Sequence, residues 1–302
     1  MLNLPINLDG KQKILICTVG GGFDIFGALP LYYTLKKMGK DVAIHSYSFS
    51  NGDGGKYHPE KFVKELPDAP RIYVTPKLGA IPLTSVLKGI VSKEKPDHIF
   101  TLDCGVDSLM FGNEMNCGTI VEEWTNFAAL LDLPHDKTHV CLGFGTEVEE
   151  GISHGVVLEN IANLSYFGTF LGTCCLTKNS ESYKFYKKAY YDAINKEPKH
   201  KRSHIHPRVI HAVEGDFGYV PINEETIMDE PATAWISPLM GIMWFFNLNP
   251  IIKANRWLQY VKTHRTIMET IDFLESEVLS TESHDGLCGI PNSLRHRIPI
   301  PY

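Results

Sequence analysis

Along the first half of the chain a short apolar run, a turn and a longer segment of helical period follow one another repeatedly. Residues 14–19 form the first run. In residues 25–38, Ile25, Leu29, Leu31, Leu35 and Met38 then draw one apolar stripe, and Gly39 supplies the stop. Residues 42–45 and 71–75 are strand-length runs, and 84–93 reads as a helix. Pro96 precedes a strand over 99–102, a helix follows over 119–131, and 140–144 reads as another strand. Strands separated by helices of this length predict an α/β fold, a Rossmann-like, doubly wound and mostly parallel sheet.

The second half is less regular. Helices are expected over 155–167, 181–194 and 207–213, with a short apolar piece at 170–176 between the first two. Residues 239–248 suit a further sheet strand ended by Asn249-Pro250, residues 255–277 are mostly of helical period, and 286–302 reads as coil. No repeat or linker interrupts the chain. A single domain over 1–302 is therefore expected, with the core sheet over 12–176 and an elaborated C-terminal extension over 177–302.

A hydrophobic fraction of 43% supports a substantial core. The balance of 29 basic and 35 acidic residues, net −6, argues against nonspecific nucleic-acid binding. The basic cluster Lys199-His200-Lys201-Arg202 is short enough to be a solvated loop. Seven cysteines lie scattered without C-x-x-C spacing, and Cys174-Cys175 sit in an apolar run, a usage that suits a reducing compartment. The chain opens without a signal-peptide pattern, and its most apolar segment, 235–248, is too short for a bilayer. A cytoplasmic protein without a membrane partner is expected.

In open parallel sheets ligands bind beyond the carboxyl ends of the strands. The first predicted strand delivers Gly20-Gly21-Gly22 and Asp24 there, and the second delivers Ser46, Ser48, Ser50 and the loop at 51–55. A third set is Asp103-Cys104-Gly105-Val106-Asp107-Ser108, and a fourth is Gly143-Phe144-Gly145-Thr146-Glu147. Bare backbone N–H groups at Gly20–Gly22, Gly105 and Gly145 suit an anionic ligand or cofactor. The glycines match neither G-x-G-x-x-G nor a P-loop, and they also suit a plain strand-to-helix turn. Asp24 equally suits a helix N-cap.

Asp103 and Asp107 sit a few residues apart on a glycine-turned loop, the oxygen ligands that Ca²⁺ or Mg²⁺ prefers. Glu114 follows closely enough to complete a metal set with them, and Asp24, Asp103 and Asp107 are the candidate catalytic carboxylates. An Asx-turn with a helix cap would use the same spacing. The acidic run at Glu147, Glu149 and Glu150 reads as a solvated loop, and His204, His206 and His211 lack zinc spacing. His58 is a candidate base, and Cys104 is the one cysteine placed as a nucleophile. Trp235, Trp244, Phe245, Phe246 and Trp257 could cover a homo-oligomer surface, although such a stripe also suits a core.

Two resemblances accompany these motifs. Asp103–Asp107 resembles part of the metal-binding stretch of the nucleoside hydrolases, Asp-x-Asp-x-Gly-x-Asp-Asp, with Thr101 in place of the first Asp and Ser108 in place of the last. The string from Gly20 to Pro30 resembles the opening of domain-of-unknown-function family 1152, found mostly in archaea and bacteria. That family's second hallmark resembles Asp103-Cys104-Gly105-Val106-Asp107 followed by Gly112-Asn113-Glu114, with Val106 and Asn113 departing from it. Gly143–Glu147 and Gly168–Gly172 are also similar, so the likeness covers most of residues 12–220. It implies a Rossmann-like fold and supplies no activity. The combined expectation is a small-molecule enzyme that binds a nucleotide- or sugar-phosphate-like ligand and acts by hydrolysis or transfer at a glycosidic carbon with a divalent cation. The alternative is a non-catalytic nucleotide sensor.

Overall fold

Nine strands and ten helices follow one another in the computed structural model, which describes residues 1–48, 59–114, 116–148, 151–196, 203–227 and 230–278. The expectations placed on Ser50, the loop 51–55, His58, Glu149 and Glu150, the basic cluster at 199–202 and the tail 286–302 lie outside the described residues.

The chain runs β1 (Lys13–Thr18), α1 (Asp24–Lys37), β2 (Asp41–Ser48), α2 (Pro59–Lys64), β3 (Arg71–Pro76), α3 (Ala80–Glu94), β4 (His98–Cys104), α4 (Val121–Leu130) and β5 (Lys137–Leu142). These five strands are parallel. After α5 (His154–Tyr166), β6 (Phe170–Cys175), α6 (Glu181–Lys196) and α7 (Ile205–Glu214) comes a separate antiparallel hairpin, β7 (Gly218–Ile227) and β8 (Glu230–Ile236). Strand β9 (Ile242–Asn247) then inserts antiparallel between β5 and β6, completing a seven-stranded sheet of order β3-β2-β1-β4-β5-β9-β6. Short helices α8 (Leu248–Ala254), α9 (Leu258–Val261) and α10 (Ile267–Phe273) follow, and a π-helical turn over Leu274–Val278 closes the described chain.

The expected Rossmann-like α/β sheet is what the residues build. Leu15 and Cys17 of β1 point into one apolar layer with α3, α4 and α5, whereas Ile14 and Ile16 point into the other with α1, α6 and α7. Burial on both faces is why the parallel strands read as continuous apolar runs rather than alternating ones. The segment at 239–248 contains strand β9, so the core sheet extends past the expected bound at residue 176 and draws one strand from the C-terminal half. Phe245 and Phe246, adjacent on β9, are fully buried in opposite layers. Trp244 and Trp257 pack against the layer that holds Phe246, and Trp235 meets Phe217 and Tyr219 edge-on at the surface of the hairpin. No described helix is long and apolar enough to cross a membrane.

Strand β1 pairs with β2 on one side and β4 on the other, so consecutive connections leave it in opposite directions. A crevice opens at such a switch point beyond the carboxyl ends of the strands. Helix α1 seals the adjoining layer closely: a Cβ on Gly27 would stand 2.0 Å from Cys104 Sγ. Gly27→Ala should therefore lower stability by about 1–3 kcal/mol, despite the roughly 1 kcal/mol that helix propensity returns. The loss should shrink on a Cys104→Ala background, as read from urea unfolding of the four-member cycle. Equal losses on both backgrounds would contradict the close approach.

Candidate functional site

The switch point gathers four buried carboxylates. Asp24 enters as the first residue of α1, Asp103 as the penultimate residue of β4, Asp107 from the 3-10 turn Asp107–Leu109, and Glu123 from the first turn of α4. Each is at most 4% exposed. Oxygens of Asp103, Asp107 and Glu123 lie within 4.8 Å of one another. Asp24 joins them through the glycine turn: a Cβ on Gly20 would sit 2.5 Å from Asp24 Oδ2 and 2.9 Å from Glu123 Oε1. Only glycine leaves room for both carboxylates at that point.

Local bonds hold three of the four. Gly20 N–H donates to Asp24 Oδ2 at 2.9 Å, and the Cys104 backbone N–H also supports Asp24. Helix α1 begins at Asp24 itself, with Phe23 at the N-cap position, so the Asp24 side chain is not an N-cap. Ser108 Oγ donates to Asp103 Oδ2, and Thr119 donates to Asp107 Oδ2 from both its N–H and its hydroxyl at 3.1 Å. Glu123 is different. Its Oε2 is buried and has no hydrogen-bond partner among the described residues.

No cationic side chain among the described residues pairs with any of the four; the neighbouring Lys77 is taken by Glu122. Burial therefore pushes their pKa values up, and mutual repulsion adds to the rise of Asp24, Asp107 and Glu123. Burial carries Asp103 to about 6, against the two opposing bonds from Ser108.

Beneath Asp103 lies a neutral relay. His139 Nε2 is 2.9 Å from Ser108 Oγ and 3.1 Å from Cys141 Sγ, and its Nδ1 is 2.8 Å from Thr101 Oγ1. Burial lowers His139 to about 3, so it is uncharged at neutral pH. Asp103, His139 and Cys141 also bring ligand atoms together, but both imidazole nitrogens are already engaged. The all-oxygen trio is thus the better fit to a cation, and it is a fit to a hard one.

The remaining expected site residues fall elsewhere. Glu114 does not approach the trio: its carboxylate accepts from the N–H groups of Phe111, Gly112 and Asn113 and from Asn160 Nδ2 at 2.7–3.2 Å. The Glu147 carboxylate caps Val106 N–H at 2.7 Å, lies against Gly105 where φ is +149°, and is buried rather than solvated. Gly145 faces His154, whose Nε2 a Cβ there would meet at 2.3 Å. Gly20 has its N–H spent on Asp24, Gly21 accepts from Asp24 N–H through its carbonyl, and Gly22 abuts Ser48 and Glu60. Burial pushes the Cys104 thiol far up, and it donates to Asp24 O at 3.8 Å, an arrangement unlike that of an activated nucleophile. His206 is buried between Tyr186 OH at 2.8 Å and Phe23 O at 2.7 Å, anchoring the turn just before Asp24.

Glu123, His139 and Glu60 are the additions that the sequence motifs did not single out. Glu122-Glu123 reads as an ordinary acidic first turn that complements the helix end. Only the packing of α4 against the β1 turn, where Asn126 Nδ2 donates to Val19 O at 3.1 Å, turns Glu123 inward.

An α/β sheet with an acidic cluster at its switch point is the architecture in which the family assignment falls. The chain belongs to the family described as "Protein of unknown function (DUF1152)", whose model matches residues 43–285. That span contains Asp103, Asp107 and Glu123, whereas the glycine turn and Asp24 precede it. No curated protein and no solved structure matches the chain.

The raised carboxyl groups carry a pH signature. In the folded chain Asp24, Asp107 and Glu123 bind their protons more tightly than in an unfolded chain. Their stabilising contribution is complete below about pH 4 and is lost as pH rises through the folded values. Below about pH 6.5 the buried, neutral His45, His98, His139 and His206 act in the opposite sense. The histidines fall silent above it, where the buried thiols of Cys17, Cys104 and Cys141 act in the same sense as the carboxyl groups, so the comparison with a cluster variant isolates the cluster. With chelator present, the Tm of the wild type should fall between pH 7 and 8, and fall less in Glu123→Gln; a flat or rising Tm would contradict the clustering.

Proposed function

We propose that this protein is a divalent-cation-dependent enzyme acting on a small hydroxyl-rich ligand of the nucleoside, nucleotide or sugar-phosphate kind, by hydrolysis or transfer at a glycosidic carbon. The observation that carries the reading is the acidic cluster with its unpartnered Glu123 Oε2. Four buried carboxylates cannot all ionise beside one another without a counter-charge. The three convergent oxygens of Asp103, Asp107 and Glu123 match the donor set and spacing that Ca²⁺ or Mg²⁺ takes.

A cation there would supply the counter-charge and polarise a ligand hydroxyl. Asp24, across the Gly20 turn from Glu123, is the carboxylate left to work on the ligand. In hydrolysis it would accept a proton from the attacking water as the new C–O bond forms and the bond to the leaving group breaks. Its negative charge would also stabilise an oxocarbenium-like transition state. The electrostatics favour a sugar over a bare phosphate in direct contact with the cluster, because Gly20 N–H already serves a carboxylate. A phosphate on the ligand would then lie beyond the acidic groups.

Isothermal titration of chelator-treated protein with Mg²⁺, Ca²⁺ and Mn²⁺ tests this. Saturable binding with proton release is expected, weakened tenfold or more in Asp107→Asn and Glu123→Gln. Glu114→Gln, whose carboxylate is held by the 111–113 loop, Asn160 and the Cys117 thiol, should keep wild-type cation affinity while losing about 1–3 kcal/mol of stability. Product analysis with nucleosides, nucleotides and sugar phosphates then separates enzyme from sensor: ligand binding without turnover would support the sensor. Absence of cation binding by a folded wild type would overturn the proposal.

A further inference from the structure

A second buried carboxylate with a spare oxygen lies at the other end of the glycine turn. Glu60, in the first turn of α2, is 1% exposed. Its Oε1 accepts from Ser46 Oγ at 2.7 Å, and its Oε2 is buried with no hydrogen-bond partner among the described residues. Ser46 and Ser48 are buried at the carboxyl end of β2. A Cβ on Gly22 would meet Ser48 Oγ at 2.9 Å and Glu60 Oε1 at 3.5 Å. Gly20, two residues earlier, stands in the same relation to Asp24 and Glu123. Two residues of chain span at most about 7 Å. The two acidic groups thus border the same three-residue turn.

An acceptor oxygen removed from water and left unmatched forfeits its solvation with no return. No Lys or Arg side chain among the described residues pairs with Glu60, which leaves this buried oxygen open to a donor from a bound molecule. A second cation is a poor candidate, since Glu60 has only serine hydroxyls as charge-free neighbours, too few ligands for a closed site. A phosphate is excluded by repulsion. A neutral hydroxyl fits both the oxygen and its setting.

We infer that Glu60 Oε2 accepts a hydrogen bond from a ring hydroxyl of a pentose, making the ligand a ribonucleoside or ribonucleotide rather than its deoxy counterpart. The inference rests on the proposed function, because it places the hydroxyl face of the same ligand beside β2 and its reacting carbon nearer Asp24. Glu60 is a binding residue in this account and takes no part in proton transfer. A site built to bond a hydroxyl discriminates strongly against the analogue that lacks it, because the protein acceptor is then left unpaired.

The test is equilibrium binding, in excess Mg²⁺, of ribose 5-phosphate and the four ribonucleoside 5′-monophosphates. Each is compared with its 2′-deoxy and 3′-deoxy counterparts, on wild type and Glu60→Gln. At least one ribo compound should bind tenfold or more tightly than one of its deoxy forms, and that ratio should collapse in Glu60→Gln. The free Glu60→Gln protein should melt at or above the wild-type temperature, because it loses a buried, half-satisfied carboxylate. Equal affinity for ribo and deoxy compounds, a preference that survives Glu60→Gln, or no binding by any compound would overturn the inference. So would a lowered Tm in Glu60→Gln with unchanged discrimination, which is what a purely structural Glu60–Ser46 bond predicts. Mn²⁺ titration of the same samples tells the two failures apart. Retained Mn²⁺ binding leaves the acidic-cluster reading standing while Glu60 falls, and its absence removes both.

Discussion

Repulsion among carboxylates confined at the β1/β4 switch point is the constraint around which the upper edge of this sheet is organised. Asp24, Asp103, Asp107 and Glu123 come from four separate segments of the chain. Bringing them together out of water is unfavourable in every protonation state except one that neutralises most of them. Neighbouring groups soften the cost: backbone N–H groups at Gly20 and Cys104 for Asp24, Ser108 for Asp103 and Thr119 for Asp107. Helix α4 points its N-terminal end, with its partial positive charge, at the same place. Glu123 Oε2 has no such support, and a fold that tolerates it has a use for it.

The glycines serve that cluster rather than a phosphate. Gly20 is needed because a Cβ would displace Asp24 and Glu123, and Gly105 because it lies against the Glu147 carboxylate at a φ that side chains avoid. Glu147 in turn braces the 105–106 backbone between Asp103 and Asp107. The same residues that look like an anion-binding loop in sequence thus make room for anions already on the protein. His206, in the first turn of α7, bonds to Phe23 O and fixes the last carbonyl before Asp24.

The fold was largely legible because apolar runs and helical stripes recur at α/β spacing. Strand β9 shows the limit: periodicity marked a strand at 239–248, but its insertion between β5 and β6 depends on tertiary pairing that no local pattern encodes. The site was legible in part. Asp24, Asp103 and Asp107 could be placed at one edge because each follows a strand. Glu114 was placed in the metal set and Glu123 was not, since only backbone geometry decides which one turns inward. Glu114 is captured by three consecutive N–H groups, whereas Glu123 Oε2 has no partner among the described residues. Glu60 carries no sequence signal at all, because a Glu at the start of a short helix is ordinary until its burial is seen.

The most direct test of the central claim is a crystal structure of the wild-type protein grown with Mn²⁺, with anomalous scattering used to locate the metal. The account predicts one strong anomalous peak among Asp103, Asp107 and Glu123, bound by oxygens at about 2.1–2.2 Å. An empty cluster whose carboxyl groups share protons in direct hydrogen bonds with one another would contradict it.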